Sequence, residues 1–442
     1  MKKRLLSLLL ALVLLLIPLA GCQKNEPSNS PPADSAGTTP PADKAPDTAP
    51  EGEPVTLQYW THVETPWNIS NDELAAAFTE EFPNIKIEIE AYPYDDFEQK
   101  VQTSLLSKSG GADIYELWGG WAYEFAPTGV FSPVPDDLIG DLKEDCYEPV
   151  LGAFEHEGVY YGVPMEFNAE SGAMLVNKPY FEEHGLSYPE TWDEMINLAT
   201  EHSVSKDNVF DMRGFDFIAH DTLPYTWLSM ILSAGGTYLE GDTFNFDTPI
   251  AKETLQKLVD YVKINKVTNT DGLAGSDLEN FHWLFLGEAL MVPRGMWTIP
   301  VGEEEYGVTY GTDFDYVSMP FYGSEKRWAA ETGWGLAVNA ASSNADAAWE
   351  FISFCMRPEN LLQLNIDRGM IPPRKSVAND PAYLEAVPYA KPILDVIDGA
   401  SFIGPINTDL LKEAMINAFT DVAQNGVSVD DAVVKLNQDL LG

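Results

Sequence analysis

The chain has 442 residues, with 26 Lys and Arg against 69 Asp and Glu, for a formal net charge of −43. Acidity on this scale argues against a nucleic-acid partner, which needs clustered cations to neutralise phosphate, and against adhesion to an anionic membrane face; it favours a soluble monomer. The 3 Cys and 6 His show no metal-ligand spacing and no disulfide framework, and no glycine-rich phosphate loop is present, so neither cofactor nor metal is expected.

Met1-Lys2-Lys3-Arg4 is basic and residues 5–19 are almost wholly apolar, too short for a comfortable membrane span and laid out as a secretory signal. The stretch ends Leu19-Ala20-Gly21-Cys22, which resembles the lipobox of bacterial lipoproteins. That resemblance implies a signal peptide over 1–21, cleavage before Cys22 and acyl chains on the new terminus. The protein would then be anchored at the extracellular face of the cell membrane, tethered and not spanning. An ordinary signal with a chance Cys is the bland alternative. Residues 22–54 are Pro, Ala, Ser, Thr, Asp and Glu with little apolar bulk, the composition of a disordered spacer.

From Val55 the pattern changes. Val55 to Trp60 alternates as a strand, and Ser70-x-x-Glu73 predicts a capping box opening a helix over 72–82. Ile85, Ile87 and Ile89 alternate with Lys86, Glu88 and Glu90, a half-buried strand. A helix over 95–108 ending at Gly110-Gly111, then a strand over 112–118, completes a β-α-β-α-β opening, which predicts a parallel sheet with right-handed crossovers. Thr191 and Glu194 form a second capping box. Apolar or amphipathic spacing predicts helices over 228–234, 250–262, 344–356, 408–424 and 428–441. Between them, a helix-like stretch over 278–286 stops at Gly287, suited to a left-handed turn. Leu290-Met291-Val292 reads as a buried strand, and Pro293 and Gly295 throw Arg294 and Trp297 into a loop at its carboxyl end, where open α/β sheets bind ligands. A body this long suits two domains rather than one core. Cys146 and Cys355 read as buried free thiols, with a disulfide as the alternative.

The segment Gly287-Glu288-Ala289-Leu290-Met291 with Gly295-Met296-Trp297 resembles a signature of family 1 extracellular solute-binding proteins, the maltose-binding-protein-like receptors of ABC importers. Further marks follow in the same order: Phe82-Pro83-Asn84-Ile85, Ala112-Asp113-Ile114, Tyr161-Gly162-Val163-Pro164, Asn177-Lys178, Thr191-Trp192-Asp193-Glu194 and Gly369-Met370-Ile371-Pro372. The resemblance implies an α/β fold of the two-lobed periplasmic-binding type II, each lobe a sheet flanked by helices, with three hinge crossings. Lobe one would comprise 55–165 plus 336–372 and lobe two 166–335 plus 373–442. It also implies a non-enzymatic receptor that captures an oligosaccharide in the interlobe cleft and delivers it to the transmembrane subunits of an ABC permease.

Carried over residue by residue, the ligand set is Trp60, Glu116, Trp118, Trp121, Glu166, Asn168, Tyr225, Arg294, Trp297 and Trp334. Aromatic rings would lie on sugar C–H faces, and the acids, amide and guanidinium would take the hydroxyl rim. Alternatives stay open at several positions: core packing for Trp297 and Trp334, a hinge salt bridge for Glu166, and Trp227 as a neighbour of Tyr225. Trp192 reads as structural. The loop Thr61-His62-Val63-Glu64 lacks the Asp/Lys pair frequent in the family. Two rival functions use the same residues. A cationic solute such as a polyamine would suit Glu116 and Glu166 between aromatic walls, whereas a secreted glycoside hydrolase would need two acids at a fixed separation.

Overall fold

The computed structural model describes residues 54–107, 111–241, 243–273, 279–404 and 408–441. The expected leader, Cys22 and the spacer up to residue 53 lie outside the described residues, as do Lys108, Gly110 and Leu278 at the ends of expected helices. The chain opens β1 (Val55–His62), α1 (Thr65–Glu81), β2 (Ile85–Tyr92), α2 (Tyr94–Ser107), β3 (Ile114–Trp118). Strand β4 (Val163–Pro164) follows, then β5 (Ala173–Val176), β6 (Met291–Pro293), β7 (Asp315–Ser318) and β8 (Trp334–Val338). Two sheets result, one in the order β2-β1-β3-β8-β4 and one in the order β6-β5-β7.

In the first sheet β1 runs parallel to β2 and β3, while β8 returns antiparallel to β3 and β4. Alternation produces its two faces: Ile85 and Ile87 are buried and Lys86 and Glu88 exposed. One face packs Leu57, Tyr59 and Ile87 against Phe78 of α1 and against Phe351 and Ile352. The other packs Tyr115 and Leu117 against Phe97, Val101 and Leu105 of α2. In the second lobe the helix α3 (Thr222–Ser233) is buried along its whole length. The helix Pro249–Lys263 and two late helices, Thr408–Ala423 and Val429–Asp439, enclose it. Cys146 and Cys355 are free and buried, as expected.

Three expectations need correction. Helix α1 starts at Thr65, not after Ser70: Pro66 sits in its first turn, where a missing N–H costs nothing. Ser70 is inside that helix, donating to Trp67 O at 3.0 Å and accepting from Arg368 Nε at 3.0 Å, so its hydroxyl caps nothing. Strand β6 pairs antiparallel to β5, so the loop carrying Arg294 and Trp297 leaves an antiparallel sheet, not a parallel one. Finally, the helix expected from 228 begins at Thr222, because Pro224 lies in the first turn, where proline does not interrupt a helix.

The sheets are joined by three adjacent stretches of chain that hydrogen-bond to one another. Phe167 N donates to Ile371 O at 2.8 Å, Asn168 N to Thr332 O at 2.8 Å and Met165 N to Trp334 O at 2.9 Å. Gly333 allows this contact, since a Cβ there would stand 2.3 Å from Glu166 O. Gly333→Ala forces backbone apart at the crossing. It should lower stability by about 1–3 kcal/mol, the usual cost of overpacking, read as a lower urea midpoint with an unchanged slope.

Candidate functional site

Between the two sheets lies a cleft of about 390 Å³. His62, Glu64, Trp67, Tyr94 and Trp118 line it from the first lobe, and Asp221, Trp297, Glu304, Glu305, Asp409 and Lys412 from the second. The crossings add Glu166, Asn168, Glu170, Glu331, Trp334 and Met370. Of the expected ligand set, Trp118, Glu166, Asn168, Trp297 and Trp334 are thus brought together on the walls.

Trp334, at the start of β8, is the centre of the aromatic wall. His62 stacks on it at 4.4 Å and 25° between planes, and Trp118 and Trp121 meet it edge-on at 5.3 Å and 5.6 Å. Glu116 sits behind this wall, 1% exposed, accepting from Thr61 Oγ1 and from His62 Nδ1 at 2.8 Å. Burial alone would raise the Glu116 carboxyl, but the His62 charge and hydrogen bond, Arg368 and Thr61 outweigh it and hold it below the usual range. For His62 burial disfavours the proton, yet Glu116 foremost, with Glu166 and Glu64, raises its pKa above the ordinary value. Arg368 reaches toward the same group, with Nη1 3.5 Å from Glu166 Oε2, and its guanidinium lies 5.3 Å from the Trp67 ring centroid. The open alternative for Glu166, an ion pair at the hinge, therefore coexists with a place on the cleft wall. Burial pushes Glu166 up to about 7, Arg368 pulling down and Glu116 pushing up.

The opposite wall is built around Trp297. Its Nε1 donates to Glu170 Oε1 at 2.5 Å, and Gly295 N donates to Glu170 Oε2 at 3.0 Å. Asn168 Nδ2 donates to Glu170 Oε1 at 3.1 Å and to Glu331 Oε2 at 2.9 Å. Behind them Arg294 Nη2 approaches Glu279 at 3.2 Å and Asp221 at 3.5 Å. Lys412 Nζ sits 2.8 Å from Asp221, 3.4 Å from Asp409 and 3.7 Å from Glu331. Burial first, then the charges of Glu170 and Asp221, raise Glu331 well above the usual carboxylate range despite Lys412. Asp221 is the contrast: Lys412, His220 and Arg294 overcome its burial and hold it well below that range. Three buried polar atoms of the wall residues have no hydrogen-bond partner among the described residues: Trp67 Nε1, Glu166 Oε2 and Asn168 Oδ1.

Trp60, Glu116, Trp121, Tyr225 and Arg294, also in the expected ligand set, do not line the cleft and are set behind its walls. Trp60 packs on Tyr92 at 5.7 Å with Lys100 Nζ 4.3 Å over its ring. Trp121 is 1% exposed and supports Trp334. Tyr225 belongs to the buried helix α3, where burial and the nearby carboxylates of Glu331 and Asp221 raise its phenol well above the usual range. Its neighbour Trp227 donates to Ala251 O and Thr254 Oγ1 and is core. Trp192 is structural, its Nε1 donating to Tyr261 Oη at 2.9 Å. Sequence reasoning missed Glu170, Asp221, Glu331, Asp409 and Lys412 as a group. Glu170 carried a usable signal, standing two residues beyond Asn168 just after a crossing. The others meet only in the folded chain.

Residues 69–361 match the family described as bacterial extracellular solute-binding protein. A maltotriose-binding protein of Pyrococcus abyssi is 25% identical over 316 residues, 70% of this chain, and the match spans 64% of that relative's own length. An arabinooligosaccharide-binding protein of Halalkalibacterium halodurans is 22% identical over 403 residues, 87% of this chain and 88% of its own. Among solved structures, the maltose-bound MalE3 of T. maritima superposes with a TM-score of 0.72 at 22% identity, covering 88% of this chain and 99% of the other. That likeness shows the shared fold, two α/β lobes around a cleft.

The His62–Glu116 contact makes a checkable statement. Followed by NMR, the His62 ring should titrate above the ordinary histidine value, while His282, whose burial lowers it, should titrate below. In Glu116→Gln the His62 midpoint should fall, because the carboxylate charge that favours the imidazolium is gone. An unmoved midpoint would mean that the pair does not form.

Proposed function

This chain belongs to the bacterial extracellular solute-binding proteins, and from that premise we propose that it is the substrate-binding receptor of an ABC importer for carbohydrate. It captures an oligosaccharide between its lobes and presents it to the permease subunits in the membrane. The observation that carries this reading is the pairing of Trp334 on one wall of the cleft with Trp297 on the other, with unsatisfied acceptors at Glu166 and Asn168 between them. Stacked indoles suit the C–H faces of sugar rings, and buried acceptors suit hydroxyl donors. The maltotriose- and arabinooligosaccharide-binding relatives support the same class of ligand.

In this reading Trp118, Glu166, Asn168, Trp297 and Trp334 touch the ligand, and Trp60, Glu116, Trp121, Tyr225 and Arg294 position them. The lobes are 55–165 with 336–372 and 166–335 with 373–442, turning about the three crossings. Cys22 carries the lipid that keeps a monomeric receptor on the outer face of the membrane, with residues 22–54 as the spacer. The protein binds and releases without chemistry. Glu116 is hydrogen-bonded behind the wall to Thr61 and His62, which leaves it poorly placed to act with Glu166 across a glycosidic bond.

Calorimetry of the full chain against a panel of oligosaccharides tests the proposal, alongside thermal unfolding, which a tight ligand raises with the logarithm of its concentration. One or more oligosaccharides should bind and be recovered intact. Trp297→Ala should weaken binding about tenfold, or ~1.4 kcal/mol, the order expected for one lost stacking face. Hydrolysed sugar in the recovered ligand would make the protein an enzyme and end the receptor reading.

A further inference from the structure

The charge of the cleft narrows the ligand further than its shape does. Resting on the carbohydrate reading, the inference concerns what the sugar carries. Among the lining residues described, Lys412 is the one Lys or Arg. That ammonium and the Arg294 guanidinium behind it already serve Glu170, Asp221, Glu279, Glu331 and Asp409. On the other side His62 and Arg368 serve Glu116 and Glu166. The cations are therefore outnumbered where the lobes meet.

At the mouth the imbalance spans the opening. Glu64, just before α1 on the first lobe, faces Glu304 and Glu305, which follow Trp297 on the second. The groups are near enough that the charges of Glu305 and Glu304, after burial, raise the Glu64 carboxyl against the pull of His62. Closing the lobes on a neutral ligand brings these carboxylates together and removes water from them, with only His62 beside Glu64 to offset the repulsion.

Deeper in, the unsatisfied atoms show what is missing. Both hydrogens of Asn168 Nδ2 are engaged by Glu170 and Glu331, so the amide must present its carbonyl oxygen, which has no donor among the described residues. Glu166 Oε2 makes no hydrogen bond either, with Arg368 Nη1 at 3.5 Å as its nearest cation. Two buried acceptors beside an indole wall suit a group with several N–H bonds and a positive charge, which gains from both the carboxylate and the rings. Trp67 Nε1, the unsatisfied donor, suits a hydroxyl of the same molecule.

We propose that the ligand is a cationic oligosaccharide carrying a free amine. Its ammonium sits between Glu166 on the Trp334 side and Asn168 on the Trp297 side, its rings rest on the cleft indoles, and its charge offsets the acids that face each other at the mouth.

The test is calorimetry of the full chain near neutral pH, where the Glu166 carboxyl, pushed up to about 7, is partly ionised and a sugar amine still carries part of its proton. The ligands are glucosamine oligosaccharides, their N-acetylated forms, glucose oligosaccharides of the same linkage, and spermidine. The glucosamine forms should bind at least about tenfold tighter than the acetylated ones, and the ratio should shrink as salt is raised. Glu166→Gln should collapse the ratio. Should that variant fail to fold, Glu64→Gln at the exposed mouth should reduce the ratio and its salt dependence. Repeating the titration in buffers of different ionisation enthalpy should reveal proton release, because a cation beside Glu166 drives off the proton that burial holds there. Equal or tighter binding of the acetylated or glucose forms overturns this proposal and leaves the carbohydrate receptor standing. Spermidine binding with every sugar silent overturns both.

Discussion

The buried carboxylate of Glu170 accepts from three donors at once: Trp297 Nε1, Gly295 N and Asn168 Nδ2. Arg294 Nε adds an ion pair at 3.6 Å. A buried acceptor left without such partners would cost free energy; here the surrounding donors satisfy both of its oxygens. The consequence is geometric. Asn168 belongs to a crossing stretch and Trp297 to a loop far along the chain, so one side chain fixes the second lobe's aromatic ledge to the hinge. Gly295 has room in this cluster only because it lacks a side chain: a Cβ there would come within 2.8 Å of both Asn168 Oδ1 and Glu170 Oε1.

The first lobe solves the same problem with a different set. Glu116 holds His62, and His62 lies flat on Trp334. Arg368 bridges from Ser70 and Asn71 of α1 toward Glu166 at the crossing. Neither network is strong evidence of stability, because desolvating both partners of a buried ion pair offsets most of its attraction. What the networks supply is direction. They orient the indole faces of a cleft that a purely apolar core would leave unspecified. Each also keeps its wall attached to the crossing, so the walls move when the lobes move.

How much of this was legible in the sequence depended on whether the signal was local. Ile85, Ile87 and Ile89 declared their strand because a half-buried strand needs strict alternation, and Thr191 with Glu194 declared a helix start because both cap bonds form within four residues. Ser70 misled because its hydroxyl, a plausible cap by spacing, bonds instead to Arg368 from the other end of the chain. The start of the helix that carries Tyr225 misled for a related reason. Helix α3 is buried on every side, so it has no polar face to mark its true start, and Pro224 looked like a boundary. Trp60 and Trp121 stand near the cleft without lining it: Trp60 packs on Tyr92, and Trp121, in the short helix Gly119–Phe125, supports Trp334. The clusters around Lys412 and Glu170 join helix, loop and crossing, and no window of sequence contains them.

Closure can be understood from these parts. An empty cleft with Glu64 opposite Glu304 and Glu305 resists closing, as like charges approach while losing water. A ligand shifts that balance only through contacts that exist in the closed form and not in the open one. A ligand bound to Trp334 alone would bind equally well to either form and shift nothing, however tightly it held. One that reaches Trp297 as well adds the second lobe's face to its binding energy, and only on closing. The Glu170 cluster makes this switch efficient, because Trp297 cannot yield by rotating away without surrendering a hydrogen bond to a buried carboxylate. In the proposed receptor, this arrangement would convert occupancy by a ligand long enough to touch both walls into a change of shape on the outer surface, the feature its permease reads.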